Sequence, residues 1–247
     1  MIKRALILVI GQSNIANHGA FEGGAFEYTP KHSVHYYNGK SMEVFTSPIG
    51  DKPHMASGNA STMLPYLGDL VIEQLDYEEV IFINIAVGGT TVDQWIPNVG
   101  KYERNIVGDD FKYENGLFER VIEAHKIAHD LGYEFTHILW HQGEDDNIKE
   151  TSTGSYKNDF LKIKKGIRDL AIMAPIYMAR ASWTSAGAIA KRDNNILNAQ
   201  TQLINENPDI LDGPNTDIID VKYRYDGSHF NKEGLIKHAN LWIKYLK

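Results

Sequence analysis

Cysteine is absent from these 247 residues. That excludes disulfide staples, thiolate metal sites and cysteine nucleophiles. No block of like charges occurs either, and the formal net charge is −7. Nucleic acid and anionic membrane surfaces both require clustered Lys and Arg, so neither is expected as a partner. No apolar run is long enough to span a membrane. The N-terminus imitates a secretory leader, with Lys3 and Arg4 ahead of an apolar run at residues 5–10. That run is shorter than a leader's core, and no small-residue cleavage site follows it. It reads as a buried first strand. The expectation is a cytoplasmic chain, with a removed leader or another export route left open.

The composition is ordinary for a globular protein, 43% hydrophobic and 23% charged, and a chain of this length can bury a sizeable core. Strand-like runs occur at residues 4–10, 80–86, 136–141, 176–181 and 217–221. Most are continuously apolar, as in strands covered on both faces, rather than alternating. Helical stripes lie between them. Leu64, Leu67, Val71 and Leu75 form one, and Leu117, Val121, Ala124, Ala128 and Leu131 form another. Phe160, Ile163, Ile167 and Leu170 make a third, and Ile196, Ala199, Leu203 and Ile204 a fourth. A last helix starts at Asn231, a good N-cap, with Leu235, Ala239, Trp242 and Leu246 facing inward. Strands alternating with helices imply an α/β fold with a parallel five-stranded sheet and helices on both faces. No linker or repeat is visible, so residues 1–247 read as one domain.

Two long irregular stretches, residues 16–60 and 87–114, exceed ordinary connections and point to function or to small extra elements. The first contains HYY-NG-KSMEVF, a hairpin turning at Asn38 and Gly39. In open α/β sheets, sites form at the carboxyl ends of the strands. There this chain has GQSN (11–14), VGGTTVDQW (87–95), WHQGEDD (140–146) and YDGSHFNKEG (225–234). The fourth strand ends in the less specific ASWTS (181–185).

Together these ends could form one acyl-transfer site. Ser13 would be the nucleophile, His229 its base, and Asp226, three residues earlier on the same loop, the group that orients the imidazole. Candidate oxyanion donors are the Ser13 N–H, an N–H from Gly88 or Gly89, and the Gln142 amide. Each reading has a plainer rival. Ser13 can simply end a strand and Asp226 can simply form a turn. Gly88 and Gly89 can make a tight turn, and Gln142 can be a satisfied buried amide. Glu144 and Asp146 read as braces of the third loop. Trp95 and Trp140 can shape a pocket or lie in the core.

The four blocks, in this order, resemble those of the SGNH hydrolases. More narrowly they resemble the sialate O-acetylesterase and acetylxylan esterase group, carbohydrate esterase family six. The likeness spans residues 11 to 229. It implies a flavodoxin-like three-layer α/β/α sandwich without metal or cofactor. It also implies a Ser13–His229–Asp226 triad with an oxyanion hole from Ser13, Gly89 and Gln142. The third block departs from the group's common QGESD by placing Asp at position 145. The resemblance implies a serine esterase that removes a small acyl group, acetyl by family analogy, from a carbohydrate hydroxyl. Acyl transfer by the same triad and a non-catalytic carbohydrate-binding domain are the alternatives. Tyr36, Tyr37, Trp95, Tyr102 and Tyr113 in the long stretches suit stacking on a sugar.

Other motifs fail. Residues 38–41 have the tail of a phosphate loop but lack its first glycine, and they read as a hairpin turn. His125 and His129 have zinc-like spacing, but Lys126 stands beside His125 where a zinc hydrolase has Glu. Ser13 sits in G-x-S-x-I, which is not an α/β-hydrolase elbow. A metallohydrolase built on His141, Glu144, Asp145 and Asp146 is the remotest alternative. Asn59-Ala60-Ser61 is a glycosylation sequon, informative only in a secreted eukaryotic chain.

Overall fold

The computed structural model describes residues 2–20, 24–104, 111–185 and 192–247. In chain order the principal strands and helices are β1 (Arg4–Gly11), β2 (Ser33–Tyr37), β3 (Met42–Val44), α1 (Leu64–Gln74) and β4 (Glu79–Asn84). Next come β5 (Tyr102–Arg104), β6 (Phe111–Tyr113), α2 (Phe118–Asp130), β7 (His137–His141) and the short α3 (Glu144–Ile148). The chain ends with α4 (Thr153–Asp169), β8 (Ile176–Arg180), α5 (Asn194–Glu206), β9 (Ile210–Asn215) and α6 (Lys232–Trp242).

Seven strands form one sheet in the order β3-β2-β4-β1-β7-β8-β9. The pairings β2–β4, β4–β1, β1–β7, β7–β8 and β8–β9 are all parallel. Strand β3 is antiparallel to β2. The central run RALILVIG explains the layering. Ala5, Ile7 and Val9 belong to the core shared with α1 and α6. Leu6, Leu8 and Ile10 belong to the opposite core, shared with α2, α4 and α5. A strand covered on both faces must be apolar at every position, which is why no alternation shows in its sequence.

The expected α/β/α sandwich is present, but the sheet has seven strands rather than five. The 33–44 hairpin accounts for two of them. Its turn is held by Asn38 Oδ1, which accepts from the N–H groups of Lys40 and Ser41, both at 2.8 Å. Strand β2 then joins β4, so the hairpin extends the central sheet. The fifth expected strand was misplaced. Residues 217–221 run from one 3-10 turn, Thr216–Ile218, into the start of another, Val221–Tyr223, and Ile218 and Val221 are exposed. The true strand, β9, carries Gly213 and Pro214, a pair that reads as a turn. Proline is tolerated there because β9 is an edge strand.

The four expected helical stripes and the last helix are all observed. Asn231 caps α6, with Oδ1 accepting from Gly234 N–H at 3.0 Å. From β1 the chain goes on to β2 on one side of the sheet, and from β7 it goes on to β8 on the other, so the sense of connection reverses between these neighbouring parallel strands. That is the switch point at which such sheets open a crevice. Asn231→Ala is expected to lower unfolding free energy by about 1 kcal/mol, the usual value of an N-cap; urea denaturation with an unchanged m-value would show it.

Candidate active site

The site grows from the end of β1. Gly11 pairs with His141 of β7, and a Cβ at position 11 would lie 2.0 Å from the His141 carbonyl oxygen. Only glycine fits that approach. Gln12 N–H then donates to the same carbonyl at 3.0 Å. The chain turns at once into a 3-10 turn over Ser13–Ile15, with Ile15 N–H on Gln12 O at 3.1 Å. Ser13 therefore stands at the sheet's carboxyl edge, at the switch point.

Its neighbours tie the other blocks to this turn. Gln12 Nε2 donates to Asp145 Oδ2 at 2.6 Å. Asn14 Nδ2 donates to Glu144 Oε1 at 2.9 Å and to the Ser228 carbonyl at 3.4 Å. The Glu144 carboxylate also faces His141 Nε2 at 3.4 Å. Burial opposes its ionisation, yet His141 and Asn14 hold it below the usual glutamate range. Glu144 and Asp146 thus brace the third loop, as their positions suggested. Asp146 accepts from Val92 N–H at 2.9 Å and from the Gln142 amide.

The fourth block organises itself. Asp226 Oδ1 accepts the backbone N–H groups of Ser228 at 2.8 Å and His229 at 2.7 Å. Asp226 Oδ2 lies 2.5 Å from His229 Nδ1. Burial would raise the Asp226 pKa, but these bonds outweigh it and hold the carboxyl down to about 2. Behind the loop, Arg224 Nη1 donates to Ser228 O at 2.5 Å and Nη2 to Thr216 O at 3.0 Å. Burial lowers this guanidinium to about 10.

A cleft of about 440 Å³ brings the pieces together. Ser13, Gly89, Asp226 and His229 all line it, together with Asn14, His18, Glu144 and Asp145. Ser13 Oγ and the His229 ring share the cleft without a hydrogen bond between them. Such bonds are commonly long before substrate arrives. Gly88 N–H donates to Ser57 Oγ at 2.7 Å, while Gly89 is exposed on the cleft. Gln142 is placed differently from the rest. It is fully buried, and its Nε2 faces Thr90 O at 2.9 Å, Gln12 Oε1 at 3.4 Å and the Asp146 carboxylate. Its own carbonyl is fixed by Tyr156 and Gln200, each at 2.9 Å. Gln142 lies beneath the cleft lining rather than on it.

None of the five aromatic residues expected to stack on a sugar, Tyr36, Tyr37, Trp95, Tyr102 and Tyr113, is among the described residues that line the cleft. Tyr36, Trp95 and Tyr102 are buried, and Trp95 packs edge-on to Trp140 at 6.3 Å in the core. Tyr113 receives a hydrogen bond from Arg120. His129 is exposed on α2 beside Asp130. Of the remotest alternative set, His141 and Glu144 face each other at 3.4 Å, but Asp145 turns away to Gln12 and Asp146 to Val92. The residues that sequence reasoning missed are His18, Ser57 and Tyr225, which crowd around Gly88 and His229.

A flavodoxin-like sandwich with Ser, His and Asp gathered at the switch point defines the SGNH class of esterase. Within that class the chain belongs to the carbohydrate esterase, sialic acid-specific acetylesterase family, whose model matches residues 3–245. Solved structures agree on the fold. A protein from Arabidopsis thaliana aligns with TM-score 0.69 and 17% identity, over 98% of this chain and 96% of its own. An acetylxylan esterase from Geobacillus stearothermophilus aligns with TM-score 0.52 and 10% identity, over 96% and 91%. A carbohydrate acetylesterase from Xanthomonas citri aligns with TM-score 0.55 and 13% identity, over 95% of this chain and 55% of its own. Among curated proteins no sequence matches. The family makes this chain a carbohydrate esterase.

Burial pushes the Asp146 carboxyl up to about 6, against hydrogen bonds from Gln142, Thr151 and Val92 that pull it down. The unfolded value is about 3.9. A carboxyl raised on folding contributes fully below the unfolded value, and that contribution is lost as pH rises through about 6. Wild type should therefore lose stability relative to Asp146→Asn between about pH 4 and pH 6, by up to about 3 kcal/mol. Paired thermal melts across that range test it.

Proposed function

We propose that this carbohydrate esterase hydrolyses small O-acyl esters, acetyl first among them, through a Ser13–His229–Asp226 triad and a covalent acyl-enzyme. The observation that carries the reading is the 2.5 Å Asp226–His229 contact on a cleft shared with Ser13. His229 Nδ1–H donates to the Asp226 carboxylate, which leaves Nε2 as the base. Ser13 Oγ attacks the ester carbonyl as its proton passes to His229 Nε2. The Ser13 and Gly89 N–H groups are the donors assigned to the oxyanion. Gln142 supports that hole from below by holding Thr90 and Asp146 in place. The tetrahedral intermediate collapses, the C–O bond to the sugar breaks, and His229 returns its proton to the departing alkoxide. Water, deprotonated by His229, then attacks the acyl-Ser13 ester and releases the acid and free serine. Asp226 stays ionised throughout, consistent with its carboxyl at about 2.

An acetylated carbohydrate is the proposed substrate. The cleft lining supports a small acyl group. Among the described lining residues Ile148 is the one large aliphatic, and its neighbours are mostly polar or glycine. A long acyl chain finds little there to replace the roughly 0.8 kcal/mol per methylene that apolar burial supplies.

Three measurements test this reading. Ser13→Ala should abolish release of p-nitrophenol from p-nitrophenyl acetate and of acetate from acetylated sugars. Asp226→Asn should leave a folded protein slowed on the order of 10⁴-fold, as when a triad imidazole is held in the wrong tautomer. Substantial activity in a folded Ser13→Ala protein would overturn the scheme. Across p-nitrophenyl esters, kcat/KM should fall steadily from acetate to butyrate to octanoate. A rise with chain length would remove the small-acyl reading.

A further inference from the structure

We infer that His18 is a positioning residue of this site, fixing the His229 ring and the turn at Gly88 and Gly89 relative to each other. The inference rests on the triad reading above and assigns a role to a residue outside it.

His18 sits in a built slot. Its Nε2 lies 2.9 Å from Ser57 Oγ. A Cβ added at Gly58 would come within 2.8 Å of that nitrogen, and one added at Gly88 within 2.9 Å. Gly58 also holds φ at +79°, a conformation that favours glycine. Two glycines from distant parts of the chain thus make room for one imidazole edge. Gly88 closes in on the nucleophile as well, since its added Cβ would be 3.2 Å from Ser13 Cβ.

The slot is wired to both halves of the site. Ser57 Oγ accepts Gly88 N–H at 2.7 Å while it meets His18 Nε2. A hydroxyl has one proton and two lone pairs, so both bonds can form together in either tautomer of the ring. The Ser57 backbone is laced to Ala86 O at 2.9 Å and to Asn17 N–H at 3.1 Å. One face of the His18 ring stacks on His229, with centroids 5.9 Å apart and planes at 26°. Tyr225 closes the circuit. Its hydroxyl donates to His18 O at 3.1 Å, its N–H donates to His229 O at 2.9 Å, and its ring stacks on His229 at 5.9 Å.

This arrangement serves catalysis through geometry. His229 is a base on a partly exposed loop, and Asp226 holds its backbone N–H and, through Nδ1, one edge of its ring. A ring stacked on its face removes the remaining freedom to swing about that bond. The Ser57 link holds the Gly88 N–H inward, which leaves Gly89 as the next amide toward the cleft. A general base misplaced by about 1 Å can lose on the order of 10²-fold in rate.

The test uses the full chain with His18→Ala, Ser57→Ala and the double variant, assayed on p-nitrophenyl acetate beside Ser13→Ala. The expected result is a ten- to hundredfold fall in kcat for each single variant, with KM within threefold of wild type. The double variant should be no worse than the weaker single, because both act through one linked unit. The burst and steady-state rates of p-nitrophenol release should fall together, since His229 serves both half-reactions. Folded variants with kcat within twofold of wild type overturn the inference. So does a loss confined to KM, or single effects that multiply in the double. If His18→Ala does not fold, His18→Gln takes its place, keeping a polar atom for Ser57 Oγ without the stacking ring, under the same criteria. An active Ser13→Ala would show instead that the triad reading has failed.

Discussion

The site depends first on a backbone contact, the pairing of β1 with β7 where Gly11 meets His141. Parallel strands lie close enough to exchange hydrogen bonds, and here the approach is so close that no Cβ is tolerated at position 11. It sets Ser13 and the third loop at one level on the sheet edge. Every later contact presupposes that level: Gln12 to Asp145, Asn14 to Glu144, and Gln142 to Thr90. Side chains alternate faces along a strand, so a one-residue slip would move Leu6, Leu8 and Ile10 into the wrong core and point Ser13 elsewhere. Burial of both faces therefore guards the register on which the placement of Ser13 depends.

The fourth block has no strand to fix it. It follows two 3-10 turns and must be anchored by side chains. Asn14 and Arg224 both reach the Ser228 carbonyl, Trp183 Nε1 donates to Gly227 O at 2.9 Å, and Ser228 Oγ accepts from Ser185 N–H at 2.9 Å. Arg224 is the strongest of these anchors. Its guanidinium is buried against Phe230, 4.3 Å from the ring centre, with its donors turned to backbone carbonyls. Buried charge is costly unless its hydrogen bonds are met, so such an anchor holds only one loop conformation comfortably. The loop's own turn at Asp226 then needs little further support.

The legible parts of this chain were those decided by local pattern. Continuous apolar runs gave away strands covered on both faces, and three- and four-residue spacing gave away the helices that cover them. The Asp-x-x-His block could be read because its two groups are neighbours in sequence. Residues 210–215 could not, because an edge strand tolerates the Gly-Pro pair that elsewhere marks a turn. The aromatic residues misled for a related reason: Tyr36, Trp95 and Tyr102 lie in the core, where a large ring is as useful as at a sugar site. Gln142 occupies the expected block, yet its depth is set by Tyr156 and Gln200, far away in sequence. His18 is the extreme case. A lone histidine on a loop carries no signal, and its meaning comes only from Ser57, Gly58, Gly88 and Tyr225 arriving from elsewhere.

The site combines a buried half and an accessible half, and the two-step ester hydrolysis proposed above would use both. Ser13 is 7% exposed, on a turn bonded to the sheet. The His229 and Asp226 side chains are 26% and 38% exposed, on a loop at the surface. A nucleophile gains from burial because its position is then set by the whole core. In the proposed scheme, a base that must first accept a proton from serine and later take one from water gains from the opposite placement, since the water of the second step has to reach it while the acyl group occupies Ser13. Exposure leaves the imidazole less restrained than the serine. A carboxylate on one nitrogen and two stacked rings, His18 and Tyr225, offset this, so that in the proposed scheme solvent can enter without the base losing its aim.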